Sequence, residues 1–239
     1  MEDKLISISK AAELLGVSLD TLRRWDKDGS FPSIKSPGGH RYYSRIQIEL
    51  HRNDIFALAK RWASADVPVP PPVDFYCSSQ AVFQSRLTKM EKVISLDAVV
   101  IPWFSLIVAA TGEIGNNSFD HNIGNWPDVI GIFYAYDTRK KEIVIADRGR
   151  GILKTLQHVK PTLKTNADAL LTAFTEVLSG RAPEARGNGL KYVKSITDQY
   201  PMSLRFQSGN AEVTLLPGKE MQIHEVDNSI PGCLVGLKY

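Results

Sequence analysis

Three short patterns set chemistry-bearing residues in a fixed order along this chain: Glu113-x-x-x-Asn117, then Asp147-Arg-Gly149-Arg-Gly151, then Arg186-Gly187-Asn188-Gly189-Leu190. A carboxylate and an amide four residues apart fall on one face of a helix, so Glu113 and Asn117 address a single site. Asp147 closes an apolar run and is followed by glycines at alternate positions, where the chain turns with little bulk and a ligand can approach the backbone. The last pattern opens a segment, residues 190–196, that reads as a helix whose free amides suit phosphate. In this order the three patterns describe a nucleotide pocket.

The elements that must hold these residues can be read from apolar spacing. Residues 98–112 are mostly apolar and lead into Glu113, predicting the helix that carries the acid and the amide. Residues 129–136 and 143–147 read as two strands around a charged turn at 137–141, which puts Asp147 at a strand end. Residues 152–186, between the last two patterns, would be a lid over the phosphates. Within it, Arg181 and Arg186 read either as phosphate contacts or as solvated loop charges. His121, one turn beyond Asn117, reads equally as a nucleotide contact or as a structural residue.

On these motifs residues 95–239 resemble the GHKL ATPase superfamily, which includes gyrase, the Hsp90 chaperone, histidine kinases and MutL. The resemblance implies an α/β sandwich in which a mixed sheet carries helices on one face, and it implies ATP and magnesium as cofactors. By that similarity Glu113 would be the general base and Asn117 the magnesium ligand, while Asp147 would accept a hydrogen bond from the adenine amino group. Gly149, Gly151 and Ile152 would close over the nucleotide, and Gly187, Asn188, Gly189 and Leu190 would hold the phosphates. The run Asn117-Ser-Phe-Asp120 looks more like the gyrase and MutL version than that of histidine kinases, which usually place a basic residue where Asp120 stands.

A second, independent pattern lies near the start. Residues 6–15 show apolar positions at helical spacing, Gly16 breaks them, and Ser18 can cap a second helix over residues 19–27. After Phe31-Pro32 comes Lys35-Ser-Pro-Gly-Gly39-His40-Arg41-Tyr42-Tyr43, where the glycine pair permits a tight reversal between two short strands. Residues 5–50 thus resemble the DNA-binding domain of the MerR family, a winged helix-turn-helix. That resemblance implies double-stranded DNA as partner, with Ser18, Thr21, Arg23 and Arg24 at the major groove and Lys35, Gly39, His40, Arg41 and Tyr42 in a wing against the phosphates and sugars. Trp25 reads as core. Winged helices also serve as protein-docking modules, and that alternative stays open.

Charge favours the first reading. Residues 18–61 hold nine Lys or Arg against five Asp or Glu, whereas residues 67–239 hold eighteen against seventeen, so the positive surplus sits where DNA would lie. Composition divides the chain into a domain over residues 1–66, a linker over 67–73 with four prolines, and a domain over 74–239. Residues 46–63 read as one helix into the linker, and residues 75–94 as a helix that packs on the second domain or on another copy of the chain. Near the end, residues 203–207 and 212–216 around Ser-Gly-Asn read as a hairpin, and residues 222–226 and 233–238 as further strands.

Other classes can be set aside. The longest apolar run, residues 98–110, is too short to span a bilayer and contains Pro102, so no membrane is expected. Cys77 and Cys233 lie far apart without metal-ligand spacing, which fits a reducing cytoplasm. His51 lacks the neighbourhood of a phosphoacceptor histidine and reads as a surface residue. The expectation is a cytoplasmic, homodimeric DNA-binding regulator whose ATPase domain switches its affinity for DNA or a partner. Two alternatives accompany it: a serine or threonine protein kinase acting on a small partner encoded nearby, and a nucleotide-binding adaptor with negligible turnover.

Overall fold

The computed structural model describes residues 5–29, 31–52, 54–67, 69–176 and 188–239. They fall into two compact units, Met1–Ala57 and Leu58–Tyr239.

The first unit contains β1 (Leu5–Ser7), α1 (Ile8–Leu15), α2 (Leu19–Asp28), β2 (Ile34–Lys35), β3 (Arg41–Ser44) and α3 (Arg45–Arg52). Local chemistry sets the boundaries of its two leading helices. The Ser7 hydroxyl accepts from Lys10 N and starts α1, and the Ser18 hydroxyl accepts from Thr21 N and starts α2. Gly16 and Gly29 end them in the left-handed conformation, at φ 66° and 78°. The helix expected to begin at residue 6 begins at Ile8: residues 6–7 belong to strand β1, and the sheet, in the order β1-β3-β2, is antiparallel throughout. Ala11, Ala12, Leu22, Phe31, Tyr43 and Ile48 form the core, and the Tyr43 hydroxyl donates to the Leu22 carbonyl at 3.3 Å.

The single helix expected over residues 46–63 is corrected to two: α3 ends at Arg52 and a second helix, α4 (Ile55–Ala63), follows. Asp54 explains the break, because its carboxylate accepts from Phe56 N at 2.9 Å and Ala57 N at 3.3 Å and so caps a new start. The border between the units falls inside α4, ahead of the proline-rich segment expected as spacer. Beyond that border the Trp62 ring stacks on Phe133, and its Nε1 donates to the Val69 carbonyl at 2.8 Å.

The second unit continues with β4 (Tyr76–Cys77), α5 (Gln80–Ile94), α6 (Phe104–Asp120), β5 (Ile132–Asp137), β6 (Glu142–Asp147), α7 (Gly151–Gln157), α8 (Asn166–Thr175), α9 (Gly189–Gln199), β7 (Ser203–Leu215) and β8 (Gln222–Lys238). Its five strands run in the order β4-β5-β6-β8-β7, and every neighbouring pair is antiparallel. The expected mixed sheet is therefore corrected to an antiparallel one. Alternate residues, among them Ile132, Tyr134, Ile143, Ile145, Phe206 and Val235, join side chains of α5, α6, α8 and α9 in one core.

Two further expectations fail in the last two strands. The run Ser208-Gly-Asn is not a hairpin turn but a bulge within β7, with Gly209 at φ 59° and register shifts on both sides of it. β7 and β8 are consequently single long strands, joined by a turn after Leu215, and β8 does not break between residues 226 and 233.

Candidate functional site

Helix α6 and the turn that follows it supply two adjacent rows of polar side chains. Glu113, Asn117 and His121 follow each other at four-residue spacing, and Asn117 Nδ2 donates to Glu113 Oε1 at 3.3 Å. The second row, Ser118 and Asn122, holds the turn over residues 147–151. The Ser118 hydroxyl donates to Asp147 Oδ2 at 2.8 Å, Asn122 Oδ1 accepts from Arg150 N at 2.9 Å, and Asn122 Nδ2 donates to the Ser118 carbonyl at 2.7 Å. Neither Ser118 nor Asn122 was singled out in the sequence, although a buried strand-end acid requires donors and Ser118 lies on the helix already identified, with Asn122 just past its end.

Asp147 is the centre of this arrangement. It is 2 % exposed, pairs with Cys233 across β6 and β8, and accepts from Gly149 N at 2.9 Å. Burial pushes its pKa up to about 6, against the opposing pull of the Gly149, Ser118 and Cys233 donors. Close packing explains the glycines around it. A Cβ on Gly149 would lie 2.1 Å from the Asn122 amide, and one on Gly232 would lie 2.3 Å from the Asp147 carbonyl. Gly151, at φ 72°, starts α7, and Ile152 N then donates to the Ser208 hydroxyl at 2.9 Å.

A pocket opens beside Asp147. Of the residues expected there, Asn117, His121, Asp147, Gly151, Ile152 and Leu190 line it, together with Ile114, Ser118, Asn122, Thr155, Phe206 and Cys233. Burial lowers the His121 pKa, partly offset by the Glu113 charge. Glu113 does not line the pocket; its carboxylate lies against Gly189 at the start of α9. Gly149 supports the wall from behind, and Asp120, Asn188 and Gly189 lie outside the lining. Arg181, Arg186 and Gly187 fall outside the described residues, as does the last part of the expected lid.

Arg148 is a residue whose role sequence reasoning missed. Although it sits in the glycine-flanked turn, it is 5 % exposed and points away from solvent into the protein. Its Nη1 donates to the Trp62 carbonyl at 3.0 Å and the Ala63 carbonyl at 2.9 Å, and its Nε and Nη2 donate to Asp128 Oδ2 at 3.0 and 2.9 Å.

In the first unit, α2 and the wing present the expected cations. Arg23 and Arg24 are exposed, with Arg23 paired to Asp20 at 2.8 Å. Ser18 and Thr21 share a hydroxyl–hydroxyl bond of 2.9 Å at the start of α2. Lys35, Gly39 and His40 are exposed, whereas Arg41 and Tyr42 are half-buried. Arg41 Nε donates to Asp26 Oδ2 at 2.7 Å, which commits one face of its guanidinium within the protein. Trp25 is half-buried between Phe31 and His51, so His51 packs on aromatic rings while remaining exposed.

Residues 7–43 match the family model described as MerR family regulatory protein. No curated protein matches the chain. The matched stretch runs from the cap of α1 through β2 into β3, so the first unit carries a MerR-type helix-turn-helix, the domain type of a DNA-binding regulator. No helix among the described residues is long and apolar enough to cross a membrane. Among the same residues, no group of three or more His, Cys, Asp or Glu side chains is placed to hold a metal ion.

Proposed function

We propose that this chain is a DNA-binding regulator whose second unit binds an adenine nucleotide, probed by Asp147, and thereby changes its affinity for DNA or a partner. The observation that carries the reading is a buried carboxylate lining a pocket to which Ile114, Ile152, Leu190 and Phe206 add apolar surface. A flat heterocycle with an exocyclic amino group suits such a slot, since it buries its faces and donates to the acid.

The polar lining suits the rest of the nucleotide. Asn117 and His121 line the pocket, and so does Leu190 in the first turn of α9, whose free amides suit phosphate. Magnesium ordinarily keeps several waters and takes few protein ligands beside the substrate phosphates, and Asn117 would supply one oxygen to an ion that arrives with them. When bound, that ion would neutralise phosphate charge. Glu113, bonded to Asn117 and free of any other acid in its row, would take the proton from an attacking water.

A ligand switches a regulator only through different affinities for its two states. The decisive experiment is a fluorescence-anisotropy titration of the whole chain onto its own upstream duplex at fixed salt, with ADP, with a non-hydrolysable ATP analogue and with no nucleotide. A tenfold difference in Kd between nucleotide states, about 1.4 kcal/mol of coupling, supports the switch. Sequence-preferring binding that ignores nucleotide would leave a DNA-anchored nucleotide-binding protein, and no preference over random duplex would remove the regulator reading.

A further inference from the structure

We infer that Asp26 is a positioning residue for DNA recognition: it ties the last turn of α2 to the wing, so that groove helix and wing meet DNA as one rigid surface. This rests on the reading of the first unit as a DNA-binding module. Asp26 stands near the end of α2, and its side chain is only 7 % exposed. Oδ1 accepts from Ser33 N and from the Ser33 hydroxyl, both at 2.8 Å. Oδ2 accepts from Arg41 Nε at 2.7 Å, and Lys35 Nζ stands 3.9 Å away. One carboxylate thus gathers the segment before β2, the β2 strand and the β3 strand onto α2.

Two electrostatic arguments make an acid costly here. A negative charge in the last turn opposes the helix dipole, and a negative charge on a phosphate-binding face weakens the attraction to DNA. The structure shows what offsets both. Burial disfavours the charge, but the Arg41 guanidinium and the two Ser33 donors outweigh it and hold the Asp26 pKa down at about 2. Arg41 is fifteen residues away, so the pair is a tertiary link and not a local helical one. With Nε committed to Asp26, the remaining guanidinium nitrogens of Arg41 are fixed in direction, and Arg41 reaches a phosphate only in the orientation that Asp26 sets.

The test exploits opposite signs. Asp26→Asn in the whole chain removes a negative charge beside the phosphates, so simple electrostatics expects tighter binding. The positioning role expects the reverse: at least tenfold weaker binding to the upstream duplex, with the slope of log affinity against log salt reduced by about one because a wing phosphate contact is lost. Asp26→Glu, which keeps the charge and the acceptors, should recover most of the affinity, and Arg41→Lys, which keeps charge but loses the fork, should mimic Asp26→Asn. Unfolding midpoints taken alongside show whether each variant is folded at the assay temperature; if Asp26→Asn is not, Asp26→Glu and Arg41→Lys decide. Equal or tighter binding by folded Asp26→Asn, or Arg41→Lys binding like the parent with an unchanged salt slope, overturns the inference. A parent chain that shows no preference for any duplex would instead defeat the DNA-binding reading itself.

Discussion

The Glu113 carboxylate lies directly against Gly189, so closely that a Cβ on that glycine would sit 1.8 Å from Oε1. The first residue of α9 therefore sets where the acid of α6 can stand. Gly189 has no strained backbone and a Cβ there would meet only the flexible Glu113 side chain, so Gly189→Ala should leave the fold about as stable as the parent. Glu113 must then swing aside. The expected outcome is an unchanged unfolding midpoint with ATP turnover at saturating nucleotide reduced on the order of 100-fold, the cost of a misplaced catalytic group. Turnover equal to the parent's would show that Glu113 is not the base.

Asp147 predicts a pH dependence with a definite sign. Its pKa rises from 3.8 to about 6 on folding, so between those values the folded chain keeps a proton that the unfolded chain has released. Stability from this group is full below pH 3.8 and is lost as pH rises through 6, a change of roughly 3 kcal/mol. Denaturant midpoints from pH 4 to 7 should fall relative to those of Asp147→Asn over that window. A ligand amino group donating to the carboxylate favours its ionised form, so nucleotide binding near pH 6 should release protons. Calorimetry in two buffers of different ionisation heat measures this directly.

Arg148→Ala should destabilise the second unit by roughly 3 kcal/mol, because it strands the Asp128 carboxylate and the carbonyls of Trp62 and Ala63 without their donor. Arg148→Lys should recover only part, since one ammonium cannot serve both ends of the fork. Urea unfolding followed by Trp fluorescence checks both. Equal midpoints for parent and Arg148→Ala would mean the network contributes nothing to stability.

Gly209→Ala tests the bulge in β7. At φ 59° an L side chain is strained, and a Cβ would lie 2.3 Å from the Asn166 amide, which itself donates to Asn210 Oδ1 at 2.8 Å. The amide can move but the backbone cannot, so a loss of about 1–2 kcal/mol is expected in denaturant melts. Gly218→Ala, also at positive φ but with nothing near its Cβ, is the control that isolates backbone strain.

Much of the first unit could be read because its signals are local. Ser18, Gly16, Gly29 and the Gly38-Gly39 pair act on the backbone within a few residues of themselves, and helix ends and wing follow from them. Strand β1 escaped because three residues carry no period of their own and gain their state from Tyr42, Tyr43 and Ser44 opposite. The bulge was misread because a positive-φ glycine between polar residues serves a turn and a bulge equally; only the pairing with β8 tells them apart. In the pocket, Asn117 and Asp147 were legible through their types and spacing. Ser118 and Asn122 were not, since a helix face is wider than one stripe and the groups they bond, the Asp147 carboxylate and the Arg150 amide, lie far along the chain. Arg148 and Arg150 are indistinguishable in the sequence, yet one guanidinium is buried and the other residue is held through its main-chain amide.

The buried fork of Arg148 also decides how this chain can be dissected. Excision at residue 67, just ahead of the prolines, would carry off Trp62 and Ala63, leaving Arg148 Nη1 without its two carbonyl acceptors and Phe133 without the indole that stacks on it. A fragment beginning at Asp54 would retain the helix, its cap and every acceptor of that guanidinium. The scissors belong ahead of α4, at a point fixed by one arginine almost a hundred residues downstream and invisible in the composition of the segment being cut.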